Sequence, residues 1–218
     1  MLPNIVMFHG WGFSSLCWQD ISIQLIQSGY RVHVIDYGYF SDPEINYDML
    51  KKPWVGVAHS FGLVKMLCNT NLQHCIGVIN ISGFSNFDTK IKVIERMISS
   101  FKQNPVEVLY NFYIKSGLNA EKIISMQHMK KLNYSLLLKD LCCISELNIN
   151  YHINIPIISI YIENDTIVSK KMAEQTKLLK HGFIFLSKGG HASIVNLVNF
   201  YSALIKNFVW QILLKKYK

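Results

Sequence analysis

Pro53-Trp54-Val55-Gly56-Val57-Ala58-His59-Ser60-Phe61-Gly62-Leu63-Val64-Lys65-Met66-Leu67 is the stretch on which the reading of the chain turns. Its first six residues make an apolar run of strand length, and Leu63 to Leu67 continue directly at helical spacing. Ala58-His59-Ser60-Phe61-Gly62 must therefore turn a strand sharply into a helix. That is the setting of a nucleophile elbow, usually written GxSxG, whose strained turn lifts a serine hydroxyl above the edge of a sheet. Small residues two before and two after the serine let strand and helix approach closely. Here alanine stands in the first place and glycine in the second. The backbone N–H of Phe61 is then aimed at the position where a reacting carbonyl oxygen would sit.

On either side, short apolar runs alternate with helix-like segments, the pattern of a parallel sheet with crossover helices. Ile5–Phe8, Arg31–Ile35, Pro53–Ala58 and Ile76–Ile81 read as four strands, with a helix from Trp18 to Gln27 stopped by Gly29. From Phe84 to about Asn150 strand character disappears, and Ile91, Ile94, Met97, Ile98 and Phe101 keep helical spacing. Strands return at Ile155–Tyr161 and Phe183–Leu186, and a last helix is expected from about Ile194 to Leu214. The expected fold is α/β: a mostly parallel central sheet with helices on both faces and an α-helical lid inserted between strands. Residues 1–83 and 151–218 form the two parts of the core, and residues 84–150 the lid.

A serine hydroxyl is a weak nucleophile until a base takes its proton and an acid holds that base. In folds with this elbow the chain order is serine, acid, histidine. Asp165 follows the strand ending at Tyr161 closely. His191 follows the last strand, and Gly189 and Gly190 before it allow a tight loop. Asp165 has a plainer reading as the cap of a helix starting near Ser169, and Glu163 is a rival acid two residues away. His9-Gly10-Trp11-Gly12 closes the first strand. Its glycines let the Trp11 N–H turn inward beside that of Phe61, giving two donors for an oxyanion.

Composition bounds the rest. The chain has 218 residues, half of them apolar and 17% charged, which excludes a disordered class and leaves enough chain for a sizeable core. No apolar run reaches membrane-spanning length, and the start lacks the basic patch and apolar segment of a secretory signal. Five cysteines without paired CxxC spacing read as reduced thiols of a cytoplasmic protein. The net charge of +8 is uneven. Residues 1–83 carry four basic and five acidic side chains, residues 84–150 nine and six, and residues 151–218 nine and three. Such a surplus points to an acidic partner or to plain lysine richness, while nucleic-acid signatures are absent and no membrane partner is expected. Neither a ligand cluster nor a phosphate-binding glycine loop implies a cofactor.

HGWG after the first strand, the AHSFG elbow, Asp165 and the glycine-flanked His191 together resemble the α/β-hydrolase superfamily over nearly the whole chain. The chain begins almost at the HGWG strand, without the leading antiparallel strands common there. Trp18 soon after HGWG, Asn111-Phe112 in the lid and the Tyr161–Val168 segment are most similar to the pimeloyl-[acyl-carrier protein] methyl ester esterases of biotin synthesis. The resemblance implies a serine hydrolase in which Ser60 attacks an ester, His191 and Asp165 form the relay, and Trp11 and Phe61 hold the oxyanion. It also implies that Phe112 touches the acyl chain and that an acyl-carrier protein binds basic lid residues. The candidates for that contact are Arg96, Lys102, Lys115, Lys122, Lys130 and Lys131. Ile94, Ile98, Leu109 and Phe112 are expected to line the acyl channel. His59 stands where the family often has tryptophan. A general short-chain carboxylesterase or thioesterase, and a non-catalytic binding protein on the same fold, are the other readings.

Overall fold

A computed structural model describes residues 2–87, 91–126, 131–150, 153–176 and 182–215. Six strands form one sheet: β1 (Asn4–Phe8), β2 (Val32–Ile35), β3 (Trp54–His59), β4 (Cys75–Ile81), β5 (Ile157–Ile162) and β6 (Phe183–Leu186). Their spatial order is β2-β1-β3-β4-β5-β6, and all five pairings are parallel. The chain thus winds outward in both directions from the middle, with β1 and β3 wholly buried. A parallel sheet buried on both faces needs near-continuous apolar strands, and NIVMF and WVGVAH supply them.

Alternation along the strands divides the core in two. Ile5, Met7, Val55 and Val57 point to one face with Ile79 and Ile160, joined there by Leu25 and by Ile205 and Val209. Val6, Phe8, Ala58 and Val78 point to the other and meet Leu63 and Met66. The first face is covered by α1 (Gln19–Gln27) and, late in the chain, by a long helix over Val198–Lys215. The second is covered by α2 (Phe61–Asn69), the helix that begins at the elbow. A 3-10 turn, Ser15–Trp18, precedes α1, so the helix starts at Gln19, one residue later than its spacing suggests.

Between β4 and β5 the chain forms α3 (Ile91–Gln103), α4 (Pro105–Lys115), α5 (Ala120–Met126) and α6 (Tyr134–Ser145). Asn104 and Asn133 cap α4 and α6 by accepting from Glu107 N and Leu136 N. An antiparallel bridge, Asn86 to Asn148, closes the insert at its base. After β5 come α7 (Lys170–Gln175), then β6, α8 (Ser193–Asn196) and α9 (Val198–Lys215). The single last helix expected from the spacing is broken at Leu197 (φ −118°, ψ 45°). There Asn196 turns its amide onto the carbonyls of Gly117 and Gly189. Apolar spacing runs through the break, which is why the pattern alone does not reveal it. Among the described residues, no helix is long and apolar enough to cross a membrane.

Candidate active site

Ser60 sits between the end of β3 and the start of α2 with φ 54° and ψ −126°. A non-glycine residue at positive φ is strained and persists only where its surroundings over-determine it. They do so here: Ser60 N donates to Ile81 O at 2.9 Å, and Leu63 N donates back to Ser60 O at 3.1 Å. Two residues on, Gly62 lets α2 pass over the end of β1. A Cβ there would lie 2.5 Å from Phe8 O and 2.6 Å from His9 O.

His191 Nε2 lies 3.0 Å from Ser60 Oγ, and His191 Nδ1 lies 2.8 Å from Asp165 Oδ2. All three residues are buried. The other carboxylate oxygen of Asp165 accepts from Ile167 N at 2.8 Å and Val168 N at 2.9 Å. Burial works to raise the Asp165 carboxyl, but His191 and the two backbone donors outweigh it and hold it below its ordinary range. An ionised carboxylate only accepts, so the imidazole carries its hydrogen on Nδ1 and leaves the Nε2 lone pair for the Ser60 hydroxyl. Glu163, the rival acid, is exposed. Ser169, not Asp165, caps α7, accepting from Met172 N at 3.3 Å.

Trp11 and Phe61 flank Ser60, both almost wholly buried. As the first residue of α2, Phe61 has an N–H without an intrahelical acceptor. The Trp11 ring turns up into the insert, where Nε1 donates to Leu137 O at 2.8 Å and the ring meets Phe112 edge-on at 5.2 Å. The Phe112 ring centre is 6.2 Å from that of His191.

Above Ser60 opens a cavity of about 980 Å³. Ile94 and Phe112 line it as expected, whereas Ile98 and Leu109 do not. Leu109 packs instead against the turn after β1, with its Cδ2 3.4 Å from where a Gly12 Cβ would be. Phe84, Phe87, Met97 and Ile144 supply the apolar wall in their place. Helical spacing cannot tell these sets apart, because both faces of the insert bury hydrocarbon.

The lysines divide. Arg96 and Lys115 border the cavity, and Lys102 is exposed at the end of α3. Lys122 Nζ donates to Val195 O and Asn196 Oδ1, both at 2.9 Å, and Lys131 faces Asp42 at 3.8 Å. Lys130 lies outside the described residues.

Several residues at the site carry no motif signal. His9 donates from Nδ1 to Gly10 O at 3.0 Å and accepts from Tyr37 N at 3.1 Å, which fixes the turn of Gly10 to Gly12. Burial drives its pKa down to about 4, so it stays neutral. Asn164 Oδ1 accepts from Gly190 N at 3.0 Å and ties the Asp165 and His191 loops together. Tyr113 donates to Gly12 O from α4. Apart from Gly10, their partners are distant in sequence, and only HGWG, which contains His9, hinted at any of them.

No protein-family model matches the chain, and no curated protein matches its sequence. Solved structures do match its shape. An esterase from Exiguobacterium antarcticum superposes with a TM-score of 0.81 at 13% identity, over 95% of this chain and 91% of that one. A thermophilic esterase from Thermogutta terrifontis gives 0.77 at 12% identity, over 97% and 90%. The enol-lactonase from Burkholderia xenovorans gives 0.77 at 12%, over 96% and 92%. The fold is that of the α/β-hydrolases, as HGWG, the AHSFG elbow, Asp165 and His191 led one to expect.

Proposed function

We propose that this protein is a serine hydrolase acting on carboxylic esters. The observation that carries the reading is the continuous chain of hydrogen bonds from Asp165 through His191 to Ser60 at the floor of an apolar cavity. Similarity in shape to two esterases and a lactonase is consistent with it. Ser60 Oγ attacks the acyl carbon as its proton passes to His191 Nε2. The Asp165 carboxylate stabilises the imidazolium so formed, and the N–H groups of Trp11 and Phe61 receive the oxyanion. Collapse expels the alcohol oxygen, which takes the proton from Nε2. Water then attacks the acyl-serine through the same base, releasing the acid and restoring Ser60.

The finer reading is hydrolysis of the methyl ester of pimeloyl-[acyl-carrier protein] for biotin synthesis. What supports it is the motif resemblance carried by Trp18, Asn111-Phe112 and the Tyr161–Val168 segment, a cavity of about 980 Å³, and two cations, Arg96 and Lys115, at the border of that cavity. One observation favours the general esterase or thioesterase instead: Lys122, one of the cations expected to meet the carrier, is engaged within the chain by Val195 O and Asn196 Oδ1. Turnover of methyl pimeloyl carrier protein against free methyl pimelate separates the two. A carrier-dependent enzyme prefers the first and loses efficiency as salt screens the cations. Equal, salt-insensitive turnover leaves the general esterase. Intact mass after fluorophosphonate treatment tests the class itself, and an unlabelled Ser60 would overturn it.

A further inference from the structure

His59 has no part in the reaction written above, yet it is completely buried beside Ser60. Its Nε2 lies 2.9 Å from the carbonyl oxygen of His191. The two rings sit 4.8 Å apart, and Phe13 packs edge-on against His59 at 5.3 Å. A carbonyl only accepts, so Nε2 carries the hydrogen and Nδ1 is a bare nitrogen. That Nδ1 is buried with no hydrogen-bond partner among the described residues. An unpaired buried nitrogen is unfavourable, and a hydrocarbon ring would fill the slot without it. What the imidazole adds is one N–H pointed at the backbone of the residue that carries the relay.

The other ties on that loop come from elsewhere. Gly190 N reaches Asn164 in the loop after β5, and Ala192 N reaches Ser116 O beyond α4 at 2.8 Å. His59 comes from the nucleophile's own strand. It pulls the His191 main chain toward β3 while Asp165 holds the ring, and the Ser60 contact is the distance left between them. Burial, with His191 close by, pushes the His59 pKa down to about 3, so the donor brings no charge next to the imidazolium.

We propose that His59 is a positioning residue whose N–H clamps the His191 loop to the strand bearing Ser60 and so sets their reacting distance. This rests on the hydrolase reading above.

His59→Gln and His59→Asn test it, with p-nitrophenyl butyrate as substrate. The glutamine amide nitrogen falls near the lost Nε2 and the asparagine nitrogen falls short of it. The glutamine variant is expected to stay near wild-type kcat. The asparagine variant should lose about 10- to 100-fold in kcat at unchanged KM, as displaced catalytic groups do. The low-field proton resonance of the His191 Nδ1–H should persist in the first and broaden in the second. Equal kcat in the two variants, whether intact or reduced, would overturn the proposal. A wild-type protein that hydrolyses no ester is a different failure, that of the hydrolase reading, and the resonance still reports whether His59 holds His191.

Discussion

In the proposed reaction Asp165 acts through its charge and through the tautomer it imposes. Replacing it with asparagine keeps the size of the side chain and removes both, since an amide can offer its N–H to His191 and leave Nε2 protonated toward Ser60. Asp165→Asn should lower kcat by about 10⁴-fold and slow fluorophosphonate labelling of Ser60 in step, with the thermal midpoint measured alongside as a control for folding. A variant that labels at the wild-type rate would mean that the carboxylate found at 2.8 Å from His191 takes no part in activating the serine. The strained serine is protected by its neighbours in the same way. Gly62 is required by the closeness of β1, whereas Ala58 serves where glycine is usual because its methyl is taken into the core.

At the scale of elements, the insert is fastened to the core by polar contacts as well as by hydrocarbon. Lys65 on α2 and Asp140 on α6 pair at 2.6 Å with their side chains 13% and 6% exposed, and Tyr39 donates to the same carboxylate oxygen. The Lys65 ammonium also lies 4.9 Å from the ring centre of Tyr37. Removing one member of such a pair strands the other charge, whereas replacing both with apolar residues of similar size is far less disruptive. Asp140→Ala should therefore cost about 3 kcal/mol in urea unfolding, and Lys65→Met combined with Asp140→Leu and Tyr39→Phe, which leaves no buried hydroxyl without its acceptor, should recover most of it. If the triple variant is as unstable as the single one, the polar cluster contributes more than the shape it fills. Because Trp11 bonds to Leu137 on the same helix, the single variant should also disturb the turn that carries the proposed oxyanion donor Trp11 and lower kcat.

For the whole molecule, buried neutral histidines make stability depend on mild acid. His9 and His59 have folded pKa values lowered to about 4 and about 3, against about 6.5 in an unfolded chain. Below pH 6.5 the unfolded chain gains these protons and the folded one does not, so stability falls as pH drops toward 4. Each histidine contributes a slope of about 1.4 kcal/mol per pH unit over that window. Urea unfolding between pH 7 and pH 5 should show the fall, and His59→Gln should make it shallower. A pH-independent midpoint would mean that these imidazoles take up protons in the folded state.

Much of this architecture was legible in the residues themselves. The strand runs, the elbow at Ser60 and the break in rhythm at Phe84 are short-range patterns that depend only on neighbours a few positions apart, and the serine, acid and histidine were placed by their positions after three such strands. Asp165 was preferred to Glu163 on its place in the chain, but that its carboxylate is the one buried against His191 in the loop after β5 was not legible. Nor were the anchoring of Trp11 to α6, the walls of the cavity, or His59 as a donor to a residue 132 positions away. Those contacts exist only once the parallel sheet has set β1, β3, β5 and β6 side by side, and a sequence carries no local signal for a distance that folding alone creates.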